Sequence, residues 1–224
     1  MTCSSNKIQI VYAMLGGALW NVGTLLLVAA ISVAGMAIAF PICGGIAWIL
    51  GTIVNYTLVV MAGGVPSQKP AVLWIGVLII ISAIYLSSLI YKRMSHSKNV
   101  NSVKGIALSV IAGLIIAFFY GFVVKSIDPV FVSGSTGTLT PYSALFFFTI
   151  GVIVSTFIIN PIFMAKPVTG EPVSMKTYFK GSFKEHISGI LGGIIWCIGM
   201  VVSFMAVGAA NPAIAYALSN LHRL

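Results

Sequence analysis

Trp20, Asn21 and Thr24 place an indole, a carboxamide and a hydroxyl little more than one helical turn apart, in a stretch otherwise built of apolar residues and glycine. Residues four apart share a helical face, so Trp20 and Thr24 lie one above the other with Asn21 beside them. Together they offer an aromatic surface, hydrogen-bond donors and acceptors, which is the chemistry needed to hold an uncharged polar solute. Asn55, with Thr52 and Tyr56 near it, sets similar groups in a second apolar stretch. Each group also has a plainer reading. Tryptophan packs and anchors membrane helices, and an embedded asparagine bonds to a neighbouring helix. Asn21 is the harder of the two to dismiss, because an unpaired amide in hydrocarbon is expensive.

Other chemistries are poorly served. Cys3, Cys43 and Cys197 have neither a disulfide framework nor metal-ligand spacing. His96, His186 and His222 fall outside the apolar runs, and the nine methionines do not pair with them. The polar run Ser133 to Thr138 lacks the lysine and the helix cap of a phosphate-binding loop. No catalytic residue, metal or cofactor is expected, and no nucleophile, base or metal set points to an enzyme.

The elements that carry these groups follow from composition. With 59% hydrophobic residues, 7% charged residues and a mean hydropathy of +1.09, the chain cannot cover a water-facing surface. The net charge of +9 does not indicate nucleic acid, since all twelve Lys and Arg lie outside the long apolar runs or, as Lys104, at the edge of one, where they act as topology signals. Six runs, about 10–31, 35–62, 71–91, 104–124, 141–164 and 187–210, are long enough to span roughly 30 Å of hydrocarbon. They must be helices, because every backbone amide in lipid needs an internal partner.

The expected loops 92–104 and 165–186 hold eight of the basic residues, and the opposite side holds four: Lys7, Lys69, Lys125 and Arg223. This bias places those two loops in the cytoplasm and the N-terminus outside. The plasma membrane is the expected location, with lipid as a partner and nucleic acid excluded.

Leu15-Gly16-Gly17-Ala18-Leu19-Trp20-Asn21-Val22-Gly23 returns as Leu191-Gly192-Gly193-Ile194-Ile195-Trp196-Cys197-Ile198-Gly199, and the alignment carries Ala37-Ile38-Ala39 onto Ala213-Ile214-Ala215. The two copies lie in the first and sixth runs and therefore point in opposite directions, as in transporters built from inverted repeats. Trp196 thereby joins Trp20 as a possible second aromatic wall for a solute. The expected fold is all-α, a polytopic membrane helix bundle forming a single domain over 1–224. It reads as a fragment of a ten-helix inverted-repeat (5+5) transporter. Residues of about 10–124 and 125–164 cover most of the first repeat and its end, and 187–224 begins the second.

Three Pro-centred sites are candidate helix breaks or gates: Pro41 with Gly44 and Gly45, Asn160-Pro161, and Asn211-Pro212. Helix packing, turns and caps are the alternatives. No acidic or basic residue lies deep in a run, so a neutral solute is favoured over a charged one. Lys125 and Asp128, three apart at the outer end of the fourth run, read either as a local pair or as a gate or coupling site.

The stretches Gly16 to Leu26 and Gly35 to Ile42 resemble the drug/metabolite transporter superfamily, nearest the branch of ureide permeases and bacterial glucose/ribose and rhamnose porters. Leu139-Thr140-Pro141-Tyr142, Asn160-Pro161, Gly192 to Trp196 and Ala213 to Ala217 look like the continuation of the same pattern. The resemblance implies a ten-helix carrier that takes up a sugar, ureide or related solute by alternating access, with proton coupling as an option. Against that pattern the first helix is missing and the eighth incomplete. The alternative expectation is therefore a non-transporting or partner-dependent truncated membrane subunit, acting as a homo-oligomer or with a complementing chain.

Overall fold

A computed structural model describes residues 3–63, 70–94, 102–127 and 139–209. Among these the chain forms α1 (Cys3–Ala34), α2 (Met36–Met61), α3 (Pro70–Met94), α4 (Ser102–Ile127), α5 (Pro141–Ala165), the short α6 (Met175–Tyr178) and α7 (Phe183–Ala209). The six long helices coincide with the six expected spans. Five of them, within α1, α2, α4, α5 and α7, are long and apolar enough to cross a membrane; α3 is apolar over the shorter stretch Pro70–Leu86. The architecture is an all-α, multi-pass membrane bundle.

Local chemistry accounts for the helix ends. Thr140 caps α5, its Oγ1 accepting from the Ser143 amide at 3.2 Å, and Pro141 occupies the first turn, where a missing donor costs nothing. Only Gly35 separates α1 from α2. Its φ of 80° and ψ of 156° lie in a region essentially reserved for glycine, and its amide still donates to the Ile31 carbonyl at 2.8 Å. The chain turns there without a loop.

Pro41 and Pro161 lie inside continuous helices rather than at interruptions. One proline deletes a single backbone donor, and the ladder on either side carries the helix through. Nor do Gly44 and Gly45 mark a close helix crossing. Among the described residues a Cβ on Gly44 would meet nothing within 4 Å, and one on Gly45 would make ordinary contact with Ile84 at 3.6 Å. Asn211 and Pro212 fall outside the described residues.

The bundle is organised around α1 and α4, which share the largest interface, with α2 against α4 and α5 against α1. Glycines bring these helices together. A Cβ on Gly17 would collide with the Phe148 backbone of α5, and one on Gly151 of α5 would collide with the Met14 carbonyl of α1. Gly16 faces α4, where an added Cβ would sit 3.2 Å from the Phe119 carbonyl. Small residues at such crossings let backbones approach, the main source of helix association where lipid removes the hydrophobic drive.

Pairings along the interfaces give the helix directions. Tyr12 meets Phe122 while Ala34 lies against Gly105, so α4 runs antiparallel to α1. Asn21 meets Ser155 and Ser32 meets Thr169, so α5 runs parallel to α1. Tyr142 near the start of α5 reaches Met205 near the end of α7, whereas Phe148 meets Trp196; α7 is antiparallel to α5 and hence to α1. The two copies of the repeated block therefore run in opposite directions. Their surroundings differ, however: Gly16 and Gly17 are packed tightly, whereas a Cβ on Gly192 or Gly193 would meet nothing within 4 Å among the described residues.

Candidate functional site

Repetition in the sequence becomes contact in the fold at Trp20 and Trp196. Their ring centroids are 4.3 Å apart, with planes inclined by 31°. Phe148 of α5 completes a triangle, at 6.3 Å from Trp20 and 6.1 Å from Trp196. Both indole Nε1 atoms are buried without a hydrogen-bond partner among the described residues. Since an indole nitrogen only donates, each carries an unused donor in a low-dielectric setting, where leaving it unmade is costly. In this conformation the walls touch. A ring inserted between them would need carbon contacts of about 3.5–4.0 Å on each side, roughly twice the present separation.

Asn21, next to Trp20 in the chain, bonds to the same helix that supplies Phe148. Its Nδ2 donates to Ser155 Oγ of α5 at 3.0 Å, and the Ser155 hydroxyl in turn donates to the Val152 carbonyl at 2.9 Å. Thr24 donates to the Trp20 carbonyl at 2.8 Å, one turn back on the same helix. The first cluster is thus assembled, with two of its three polar groups donating within the protein.

Asn55 lies apart from this cluster, on the buried face of α2. It is fully buried, and its Nδ2 donates to the Gly51 carbonyl at 2.7 Å while Oδ1 has no partner among the described residues. Its neighbour Tyr56 turns to Trp74 of α3, 5.6 Å between centroids. Asn160, near the end of α5, has its Oδ1 buried without a partner among the described residues. Lys125 sits half-buried in the last turn of α4. Asp128 lies outside the described residues, as does its suggested pairing with Lys125.

Three features escape a reading of the sequence. Ser155 completes the Asn21 bond across 134 residues, a partnership no local pattern announces. Trp48 is 6% exposed, part of the apolar core, and holds a third buried indole nitrogen without a partner among the described residues. Its signal was available: Trp48, Thr52 and Asn55 recur at helical spacing on one buried face of α2. Tyr120, which its type suggests as an interfacial marker, is instead 1% exposed, and its hydroxyl lies 3.2 Å from the Ser203 carbonyl and 3.3 Å from Ser203 Oγ of α7.

Among the described residues no group of three or more His, Cys, Asp or Glu side chains could hold a metal ion. The groups present can stack against a ring and donate hydrogen bonds. They have no ionisable pair for chemistry on a bound molecule.

A multi-pass helix bundle with uncharged polar groups at its helix contacts defines a transporter-like membrane protein. A family model, ureide permease, matches residues 80–223, more than half of the chain. The chain belongs to the ureide permease family, and it is a membrane protein of permease type rather than an enzyme. The match includes Trp196, Asn160 and Pro161, whereas Trp20, Asn21, Thr24 and Asn55 precede it. No curated protein and no solved structure matches the chain.

Proposed function

We propose that the chain moves a neutral small solute, a sugar or a ureide, across the plasma membrane by alternating access. The observation that carries this reading is the pair of unsatisfied indole donors at the Trp20–Trp196 contact, where antiparallel α1 and α7 meet. Separation of these helices exposes two aromatic faces and two N–H groups to solute oxygens. Trp20, Asn21, Thr24, Asn55 and Trp196 are the proposed solute-binding residues. Pro41, Gly44, Gly45, Asn160, Pro161, Asn211 and Pro212 are the proposed places at which the helices flex.

Within this reading the fold is a portion of the ten-helix inverted-repeat plan of the drug/metabolite transporters, with the loops 92–104 and 165–186 cytoplasmic. The antiparallel courses of α1 and α7 and the family match support it. Proton coupling is assigned to Asp128 with Lys125.

Uptake from a panel of hexoses, pentoses, rhamnose, allantoin and uracil tests the proposal. Saturable uptake of one solute, blocked by one competitor, is expected, with a strong loss in Asp128→Asn. No saturable flux of any solute contradicts the carrier; near-normal uptake in Asp128→Asn contradicts the coupling assignment alone.

A further inference from the structure

The connection from α5 to α7 is fixed at its beginning and displays a basic, aromatic surface at its end. Its first half is tied to the bundle: the Val173 amide donates to the Met164 carbonyl at 2.9 Å, Lys104 Nζ reaches the Val168 carbonyl at 3.3 Å, and Thr169 bonds Ser32 at 2.9 Å. Its second half is shaped by two serine caps. Ser174 accepts from the Lys176 amide, while Ser182 exchanges bonds with Glu185, whose carboxylate takes the Ser182 amide at 2.7 Å. Between these caps and in the two residues just after the second, Lys176, Lys180 and Lys184 are all exposed, and Phe179 and Phe183 are 77% and 78% exposed.

Two large aromatic rings facing outward beside three lysines are costly in water and favourable at a bilayer surface. There the rings enter the boundary between headgroups and acyl chains, and the lysines meet phosphate. The location agrees, because α5 ends at Ala165 and α7 begins at Phe183, both helices long and apolar enough to cross a membrane. Charge agrees as well. Glu185 is engaged by Ser182, Glu171 lies before the first cap, and no carboxylate pairs with the three lysines among the described residues. An acidic protein partner would explain the lysines but gives no reason for the rings to stand at the membrane edge.

We propose that residues 174–184 form an interfacial strap that binds the headgroups of anionic phospholipids in the leaflet it borders. Lys176, Lys180 and Lys184 supply the charge, and Phe179 and Phe183 set the depth. Such a strap holds the start of α7, and with it the Trp196 face, at a fixed height in the bilayer.

Spin-labelled phosphatidylserine and phosphatidylcholine, compared by electron paramagnetic resonance on the full chain reconstituted in phosphatidylcholine, test this directly. The protein is expected to prefer phosphatidylserine by on the order of tenfold at low salt, a preference that falls as salt is raised. The triple variant K176Q/K180Q/K184Q is expected to lose it, while Lys7→Gln, at the opposite end of the bundle, retains it. Since the salt titration uses the unaltered protein, the test does not depend on folding of the variant. Equal association of both lipids, a preference insensitive to salt, or a folded triple variant with its preference intact would overturn the proposal. So would equal lipid association combined with salt-sensitive binding of a polyglutamate peptide, which would assign the lysines to a protein partner.

Discussion

Asn21 joins two roles that its sequence context leaves open, and they can be separated by substituting its partner. The bond from Asn21 to Ser155 links α1 to α5 in the bundle interior, an arrangement worth about 0.6–1.7 kcal/mol in membrane proteins. Ser155→Ala is expected to lower thermal stability in detergent by that amount while leaving solute competition intact. Asn21→Ala is expected to lower both. The double variant should lose less stability than the two single losses added together, because both remove the same bond. Asn21 could be singled out from the sequence because an amide in hydrocarbon demands a partner. The partner itself could not, since Ser155 is one of several hydroxyl residues on α5 and only the crossing of the helices selects it. Trp196 is legible through repetition, whereas Trp48 is not, because the matched part of α2, Ala37-Ile38-Ala39, stops short of it.

Helices were the most legible level of this protein, for a physical reason. An apolar run in lipid has almost no alternative to a helix, so its length sets the span and Thr140-Pro141 sets a start. Proline marks candidate breaks or gates in the sequence, and Pro41 and Pro161 both sit inside assigned helices, α2 and α5. How tightly the helices cross was hidden as well, because Gly16-Gly17 and Gly192-Gly193 are the same dipeptide in opposite situations. Gly17→Ala is therefore expected to destabilise the bundle by about 1–3 kcal/mol, the usual range for forcing extra volume into a packed interior. Gly193→Ala should change stability little, and thermal unfolding in detergent measures both. At the α4–α7 contact, Tyr120→Phe removes the hydroxyl at Ser203 while retaining the ring against Phe204. A loss of about 1 kcal/mol is expected, with faster cysteine labelling at Cys197 as α7 loosens.

Taken whole, the molecule is a helix bundle with its apolar residues distributed to both interior and exterior. Ile190, Ile194, Ile195 and Ile198 on α7 and Phe146, Phe157 and Ile158 on α5 are exposed within helices long and apolar enough to cross a membrane. Such exposure would mark an aggregation hazard in water and is ordinary in lipid. At the same scale Lys104, at the start of α4, touches the connection that carries Lys166, Lys176, Lys180 and Lys184. Composition alone announced the membrane, and the repeat announced antiparallel copies. What neither announced is that the copies meet directly, ring against ring, with their indole N–H groups unpartnered among the described residues.

That contact bears the central claim, that Trp20 and Trp196 receive a neutral solute, and competition uptake with conservative variants tests it most directly. Trp20→Phe and Trp196→Phe keep an aromatic ring but delete the indole N–H; Tyr85→Phe, on the exposed side of α3, serves as the reference. Each tryptophan variant is expected to weaken competition by roughly fivefold to tenfold, equivalent to about 1–1.4 kcal/mol for one neutral hydrogen bond, with Tyr85→Phe unchanged. Equal effects at all three positions, or none at the tryptophans, would contradict a solute site between α1 and α7.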